Sequence, residues 1–240
     1  MKVVQRKSAV ATAGVSLLLV LSAATIAQEG NPADVIRMLD AAVAFRVRNV
    51  AGFTDIEHYA AYRGSDESHP LAEMNVRDSY KAGVGKSYTV LSESGSSIVL
   101  RMGLKPLLEN ETKINQPDRV PQSWFTSTNY DMKLVSTHTQ RLNGRECYAL
   151  SIDPRQKAPN MIDGTLWVDA HDGSILKVEG VASKSPSVFA GTTHMMRRYV
   201  NIAGFPMAVY ARAESDSPLF GHTVVTIDYR DYKLEIRPHP

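Results

Sequence analysis

Seven histidines and one cysteine are the side chains of this chain best suited to bind a metal ion or to form a nucleophile–base pair. No two histidines stand four residues apart and no Cys-x-x-Cys pair exists, so the sequence predicts no metal site. Cys147 precedes Tyr148 in a β-like stretch, where a lone cysteine usually acts as a small apolar side chain. The histidines are His58, His69, His138, His171, His194, His222 and His239.

Acidic residues in the second half of the chain stand in turns and at strand ends, where carboxylates bond to nearby backbone N–H groups. They include Asp153, Asp163, Asp169 and Asp172. The chain has no Gly-x-Ser-x-Gly elbow and no glycine loop for phosphate. We therefore predict no catalytic residue, no cofactor and no enzymatic activity. A hydrolase is the less favoured alternative, because it would need clustered acid, base and nucleophile residues.

The run Met195-Met196-Arg197-Arg198 is unusual in composition. In a strand, alternation places Met195, Arg197 and Tyr199 on one side. Methionine adapts to variable apolar ligands because its side chain is flexible, but it serves core packing in the same way. Both interpretations stay open, with packing the favoured one.

The first 27 residues predict a secretory signal. Lys2, Arg6 and Lys7 precede an apolar stretch over residues 9–24, and small residues lead to Ala27. The alternative, a membrane anchor, is disfavoured because about 16 apolar residues fall short of the roughly 20 that span a bilayer. No cysteine near Ala27 could carry a lipid. We expect cleavage near Ala27 and a periplasmic mature chain.

Charge and size limit the remaining possibilities. The 27 Lys and Arg residues exceed the 25 Asp and Glu residues, but three of the basic ones lie in the signal, which leaves 24 against 25 and a net charge of −1. Without a basic run, we predict no nucleic-acid partner. One cysteine excludes an internal disulfide. We predict two parts, the signal over 1–27 and a single domain over 28–240 that is large enough to bury a core.

Residues 163–180 read as a β-hairpin around the turn Ala170-His171-Asp172-Gly173. Alternation puts Leu166 and Val168 on one face of the first strand, and Leu176 and Val178 on one face of the second. This one-sided apolar pattern recurs along the C-terminal two-thirds of the chain. It predicts a long antiparallel sheet with an apolar face that other elements cover.

Two helices and several further strands complete the prediction. Asn31 and Pro32 start a helix over 32–46, and a second helix over 96–110 is interrupted at Pro106 by its missing N–H. Residues 111–123 read as a loop or a short helix. The predicted strands are 50–63, 72–81, 86–93, 130–140, 145–153, 162–182 (the hairpin), 192–200, 204–214 and 221–234.

Several sequence blocks, in this order over roughly residues 35–234, resemble the outer-membrane lipoprotein-sorting family. That family is related to the LolA and LolB carriers and to the ligand-sensing domain of RseB-type regulators. The blocks are Asn129-Tyr130-Asp131, Gly144-Arg145-Glu146-Cys147-Tyr148, Gly164-Thr165-Leu166-Trp167-Val168-Asp169, Lys184-Ser185-Pro186-Ser187 and Gly221-His222-Thr223-Val224-Val225-Thr226-Ile227-Asp228-Tyr229.

The resemblance implies a mainly β, α+β fold. It is a half-open antiparallel β-barrel of about ten strands covered by two helices, with an apolar cavity between sheet and helices. It implies a carrier or binding protein for a hydrophobic moiety, with lipid or lipoprotein acyl chains as ligands and other cell-envelope proteins as further partners. The alternative is an envelope sensor or interaction module of the RseB type.

Apolar side chains on the inward faces of these elements are the candidate ligand-binding residues. We expect them to line the cavity or its adjoining core, with three residues of the second helix covering it. The candidates are Tyr88, Val90, Ile98, Met102, Leu108, Leu134, Leu150, Leu166, Val168, Val178, Met207, Val209, Val225 and Ile227.

Overall fold

The computed structural model describes residues 29–64, 66–184, 191–217 and 221–238. The predicted signal over 1–27 and most of the block Lys184-Ser185-Pro186-Ser187 lie outside these residues, and the division into signal and single domain stays a prediction. Within the described residues, no helix is long and apolar enough to cross a membrane.

In the described parts of the chain, eleven strands form one antiparallel sheet in the order β3-β2-β1-β11-β10-β9-β8-β7-β6-β4, with β5 paired to β6. β3 and β4 end this order, and no pairing between described residues closes the sheet. The predicted mainly β, half-open architecture is confirmed. The strands are β1 Val50–Arg63, β2 Ala72–Lys81, β3 Gly85–Gly95, β4 Tyr130–Leu134, β5 Gln140–Leu142, β6 Arg145–Pro154, β7 Ile162–Asp169, β8 Ile175–Ala182, β9 Thr193–Ile202, β10 Phe205–Ser217 and β11 Gly221–Ile236.

Helix α1 spans Pro32–Asn49 and begins as the sequence predicts. The Asn31 side chain accepts a hydrogen bond from the Ala33 N–H, and Pro32 occupies a first-turn position where no donor is needed. Val35 and Leu39 are its buried residues, and Arg46 lies in the last turn, where a cation is favoured by the helix dipole. The helix therefore presents an apolar stripe to the sheet and basic residues near its end.

The second helical region is longer than predicted and contains a π-helical segment. A short turn α2, Ser97–Val99, leads through the π-helical Leu100–Leu104 into α3, Lys105–Ile114. The Lys105 N–H donates to the Leu100 carbonyl, five residues back. Pro106 has no N–H to continue an α-helical ladder at this point, which accounts for a local change of pattern next to it.

The structure divides one predicted strand in two and places helix in a segment predicted as a loop or a short helix. The predicted strand over 130–140 divides into β4 and β5, which both pair with β6 at different places. Asn143 and Gly144, between β5 and β6, both have positive φ, which a tight hairpin turn requires. Residues 111–123, predicted as a loop or a short helix, contain the end of α3 and the 3₁₀ helix Val120–Ser123.

The predicted hairpin is β7 and β8, and Leu166 pairs with Val178 as alternation requires. The register shifts between Trp167 and Val168, which pairs with Ile175 rather than with Leu176. Ile175 therefore packs against the core cluster that contains Val178, while the predicted inward residues Leu176 and Val178 are both buried.

Each helical region covers one half of the sheet. Under α1, one core cluster joins Val35 and Leu39 to residues of β4, β6, β7 and β8. A second cluster joins Leu100, Leu104 and Leu108 to residues of β1, β2, β10 and β11. The two helical regions therefore pack on different parts of the same sheet.

Gly173 fixes the position of α1 on the sheet. A Cβ atom at Gly173 would lie 2.6 Å from the Met38 carbonyl carbon and oxygen, so the β7–β8 turn touches the helix backbone. Its φ of 72° is also left-handed, which glycine adopts without strain. Both reasons make glycine the residue that fits here.

Candidate functional site

A cavity of about 220 Å³ lies between α1, α3 and the sheet. A second cavity of about 390 Å³ adjoins it on the side of the loop after α3. The two adjoin each other at Arg46, Val47, Phe53, Tyr80, Asn115, Val120 and Trp124, which line both. Together they are called the pocket.

The segment after α3 forms one wall of this pocket, and side chains hold it in place. Asp40 of α1 accepts hydrogen bonds from the Ser127 N–H at 2.9 Å and from the Ser127 hydroxyl at 2.6 Å. The Asn129 amide donates to the carbonyls of Pro121, at 2.7 Å, and Trp124, at 2.9 Å. These contacts place the Trp124 region opposite α1.

The outer part of the pocket is apolar. Its aromatic and aliphatic side chains come from α1, the segment after α3, and strands β1, β8 and β10. They are Ala42, Val43, Val47, Phe53, Val120, Trp124, Phe125, Ile175, Pro206, Met207 and Ala208. Phe53 stacks on Tyr80 with ring centroids 5.3 Å apart, so this wall is a packed surface.

The floor of the pocket is a buried charged cluster, which the sequence analysis did not predict. The Lys86 ammonium lies 2.9 Å from Glu57 Oε1, 2.8 Å from Asp78 Oδ2 and 3.0 Å from Glu111 Oε1. Lys86, Glu57 and Glu111 all line the cavity. These three carboxylates hold the pKa of Lys86 well above its usual value, although burial opposes this.

Asp55 adds a fourth carboxyl group. It stands directly opposite Asp78 on neighbouring strands, where two like charges repel. Both Asp55 oxygens are buried without a hydrogen-bond partner among the described residues. Burial, and then the nearby Glu57, raises the pKa of Asp55 to about 7. Asp55 is therefore largely protonated below neutral pH.

Tyr59 links two of the carboxyl groups. Its hydroxyl lies 2.5 Å from Glu57 Oε2 and 2.8 Å from Glu111 Oε2. A phenol carries one proton, so the second of these bonds needs a proton from a carboxyl group. Burial and Glu111 raise the pKa of Glu57, whereas Lys86 and Arg197 lower that of Glu111 against the effect of burial. The proton therefore belongs on Glu57.

A metal ion is a poor fit to this cluster. Carboxylate oxygens of Asp55, Glu57 and Asp78 lie close enough together to hold a cation. The Lys86 ammonium already contacts Glu57 and Asp78 at hydrogen-bonding distance. A metal would have to displace this ammonium, which is the cation that balances the carboxylates here.

Two arginines also line the cavity, Arg197 of β9 and Arg46 of α1. Burial opposes the charge of Arg197, but Tyr199, Tyr229 and Glu111 together raise the pKa of its guanidinium. Burial lowers the pKa of Arg46. The Arg46 Nε is buried without a hydrogen-bond partner among the described residues, and its terminal nitrogen contacts the Met207 sulfur at 3.6 Å.

Most of the predicted ligand-binding residues lie in the core beside the pocket. Leu150, Leu166, Val168 and Val178 belong to the cluster under α1, with Leu134 packed against it. Leu108 and Ile227 belong to the second cluster, with Val90 and Val225 packed against it. Val209 is half-buried at a bulge between β9 and β10. Met207 lines the cavity itself.

Three predicted residues lie at the surface instead. Tyr88 is 37% exposed, Ile98 54% and Met102 62%. The buried leucines of the second helical region recur every four residues, at 100, 104 and 108. Met102 lies two residues from its buried neighbours and so falls on the opposite side of the helix. The expectation that Ile98 and Met102 cover the pocket is therefore wrong, whereas ligand contact by the other candidates stays a prediction.

Alternation along the strands could have predicted part of the charged cluster. Asp55 and Glu57 lie on the same face of β1 as Phe53 and Tyr59, and this face points inward. Asp78 continues the inward series of Met74 and Val76. Arg197 and Tyr199 were placed on one face, but which face points inward could not be decided from β9 alone.

No family model matches the chain, and no curated protein matches it. Solved structures with a similar fold include a LolA superfamily protein from Nitrosomonas europaea, at 13% identity and a TM-score of 0.42, with 87% of this chain and 96% of that chain covered. A DUF1329 family protein from Desulfovibrio piger has 16% identity and a TM-score of 0.44, with coverage of 86% and 94%. A domain named for outer membrane lipoprotein sorting, from Vibrio parahaemolyticus, has 11% identity and a TM-score of 0.49, with coverage of 85% and 94%.

Proposed function

We propose that this protein is a periplasmic carrier or binding protein for a hydrophobic moiety, the acyl chain of a lipid or lipoprotein, and that it carries out no covalent chemistry. The observation that supports this proposal most strongly is the pocket between α1 and the segment after α3. Its outer walls are aromatic and aliphatic side chains, including Val43, Phe53, Trp124 and Met207. Such surfaces favour apolar ligands because burial removes both partners from water.

The energy of acyl-chain burial is sufficient for this role. Each methylene contributes about 0.8 kcal/mol when buried, so about 15 methylenes give a gross stabilisation of about 12 kcal/mol. Association and ordering cost several kcal/mol of this, which leaves binding in the micromolar range. A ligand that fills only part of the pocket binds more weakly in proportion.

The charged floor supports a binding role better than a catalytic one. Both carboxyl oxygens of Glu57 and both of Glu111 contact either Tyr59 or Lys86. A general acid or base must reach the proton that it transfers, and these atoms are already engaged. In this proposal the cluster holds β1, β2, β3 and α3 together and makes one end of the pocket polar.

Titration with a fluorescent fatty-acyl probe tests the proposal. Ala42 lines the cavity, whereas its neighbour Ala41 is exposed on the same helix. We expect saturable binding by the wild type and by Ala41→Phe, and weaker binding by Ala42→Phe, whose ring fills the pocket. Circular dichroism must show that both variants fold. If the folded wild type does not bind acyl chains, the proposal fails and an interaction module becomes the leading interpretation.

A further inference from the structure

Arg46 differs from the other cations that line the first cavity. Lys86 forms ion pairs with Glu57, Asp78 and Glu111. Glu111 also lies near enough to Arg197 to favour its charged form. Arg46 lines the same cavity and forms no ion pair with a described residue.

No carboxylate of a described residue contacts the Arg46 guanidinium. Among the described residues no Asp or Glu oxygen forms an ion pair with its guanidinium, and the contact of its terminal nitrogen with Met207 is to a weak acceptor. Its other electrostatic neighbours are the phenols of Tyr199, Tyr232 and Tyr80. Arg46 is half-buried, but its Nε is withdrawn from water without a partner, which is costly, and a bound anion would remove this cost.

Arg46 also has the position that an anion receptor for an amphiphile would need. It lines both cavities, at the boundary that they share. Val43 and Val47 flank it on α1, and Phe53 and Trp124 line the same walls. An acyl chain on these walls would bring a terminal anionic group within reach of the guanidinium and of tyrosine hydroxyls.

We propose that Arg46 binds the anionic group of an amphiphile, a carboxylate or a phosphate, whose acyl chain occupies the apolar walls of the pocket. This inference rests on the proposed acyl-chain binding and names the class of ligand. Arg46 is the specificity-determining residue, because it separates anionic amphiphiles from neutral ones of the same chain length. The guanidinium can make two parallel hydrogen bonds to either anion.

The experiment compares dansyl-undecanoic acid with its methyl ester, which has the same chain and no charge. We expect the wild type to bind the acid about tenfold or more tighter than the ester, as a charge-assisted hydrogen bond in a buried site predicts. Arg46→Gln should lose this preference while keeping its affinity for the ester. Arg37→Gln, on an exposed arginine of the same helix, should behave as the wild type.

Each other outcome is informative. Equal affinities of the wild type for acid and ester would overturn the role of Arg46 but leave acyl-chain binding intact. An equal loss for both probes in Arg46→Gln would also overturn it, because it would assign Arg46 to packing. Absence of binding by either probe would overturn the proposed function as well. Displacement of the acid probe by palmitate or by lysophosphatidate then shows whether the preferred anion is a carboxylate or a phosphate.

Discussion

Removal of the Lys86 ammonium is the sharpest test of the buried cluster. Lys86→Met keeps most of the side-chain volume but leaves Glu57, Asp78 and Glu111 without the cation that lies within 3.0 Å of each. Breaking a buried ion pair in this way costs about 3–5 kcal/mol, because the remaining charges stay in a medium of low polarity. We expect a loss of this size in the free energy of unfolding at pH 8.

The same change at the surface provides the control. Lys105 forms an ion pair with Glu93 at 2.9 Å, but its side chain is 46% exposed. Lys105→Met should cost about 1 kcal/mol or less, since water screens this pair. Urea unfolding followed by circular dichroism measures both variants.

The pH dependence of Lys86→Met has a definite sign. Without the ammonium, the folded-state pKa values of the carboxyl groups rise, so the folded protein binds protons more tightly than the unfolded chain does. The loss of stability should therefore be smaller at pH 5 than at pH 8. Glu57→Gln added to Lys86→Met should recover part of the loss at pH 8. Equal losses in the Lys86 and Lys105 variants, or a loss of Lys86→Met that does not change with pH, would refute this account of the cluster.

Two further substitutions test neighbouring features. Asp55→Asn should stabilise the fold at pH 8, because a rise in pKa from 3.8 to about 7 corresponds to an ionisation penalty of about 4 kcal/mol. That penalty is absent below the unfolded-state pKa and complete above about pH 7. The increase in the free energy of unfolding, measured with urea, should therefore be smaller at pH 5 than at pH 8. An equal increase at both pH values would contradict the raised pKa of Asp55. Gly173→Ala should destabilise the protein more than Gly144→Ala, since both residues have positive φ but only at Gly173 does a Cβ meet the α1 backbone. Gly144→Ala should cost about 1 kcal/mol, and equal melting temperatures of the two variants would show that α1 does not rest on this turn.

The sheet could be predicted from sequence because its signal is local. Alternation along β7 and β8 identifies Leu166, Val168 and Val178 as inward residues, and all three are fully buried. Asn31 and Pro32 mark the start of α1 by chemistry that acts within one turn. The bulge at Leu176 and the π-helical segment before Pro106 each insert one residue into these patterns. The neighbouring side chains therefore point in directions that strict periodicity does not predict.

The candidate site could not be predicted to the same degree because it is assembled from distant parts of the chain. Arg46, Lys86, Glu111 and Arg197 come from four elements and meet only when both helices pack on the sheet. Acidic residues at inward strand positions were visible, but their neutralisation by Lys86 depends on the register of β2 and β3. An apolar cavity was therefore expected where the structure has apolar walls and a charged floor.

The chain contains two tryptophans, and their positions allow a direct test of pocket occupancy. Trp124 lines both cavities, whereas Trp167 lies on the other face of β7, under the Lys177 ammonium at 4.8 Å. A bromine-labelled fatty acid quenches a tryptophan that it contacts. In Trp167→Phe, which keeps Trp124, its titration should quench the fluorescence saturably, and in Trp124→Phe it should not. Quenching of Trp167 alone, or no saturable quenching of Trp124 in a folded protein, would contradict binding of acyl chains in this pocket.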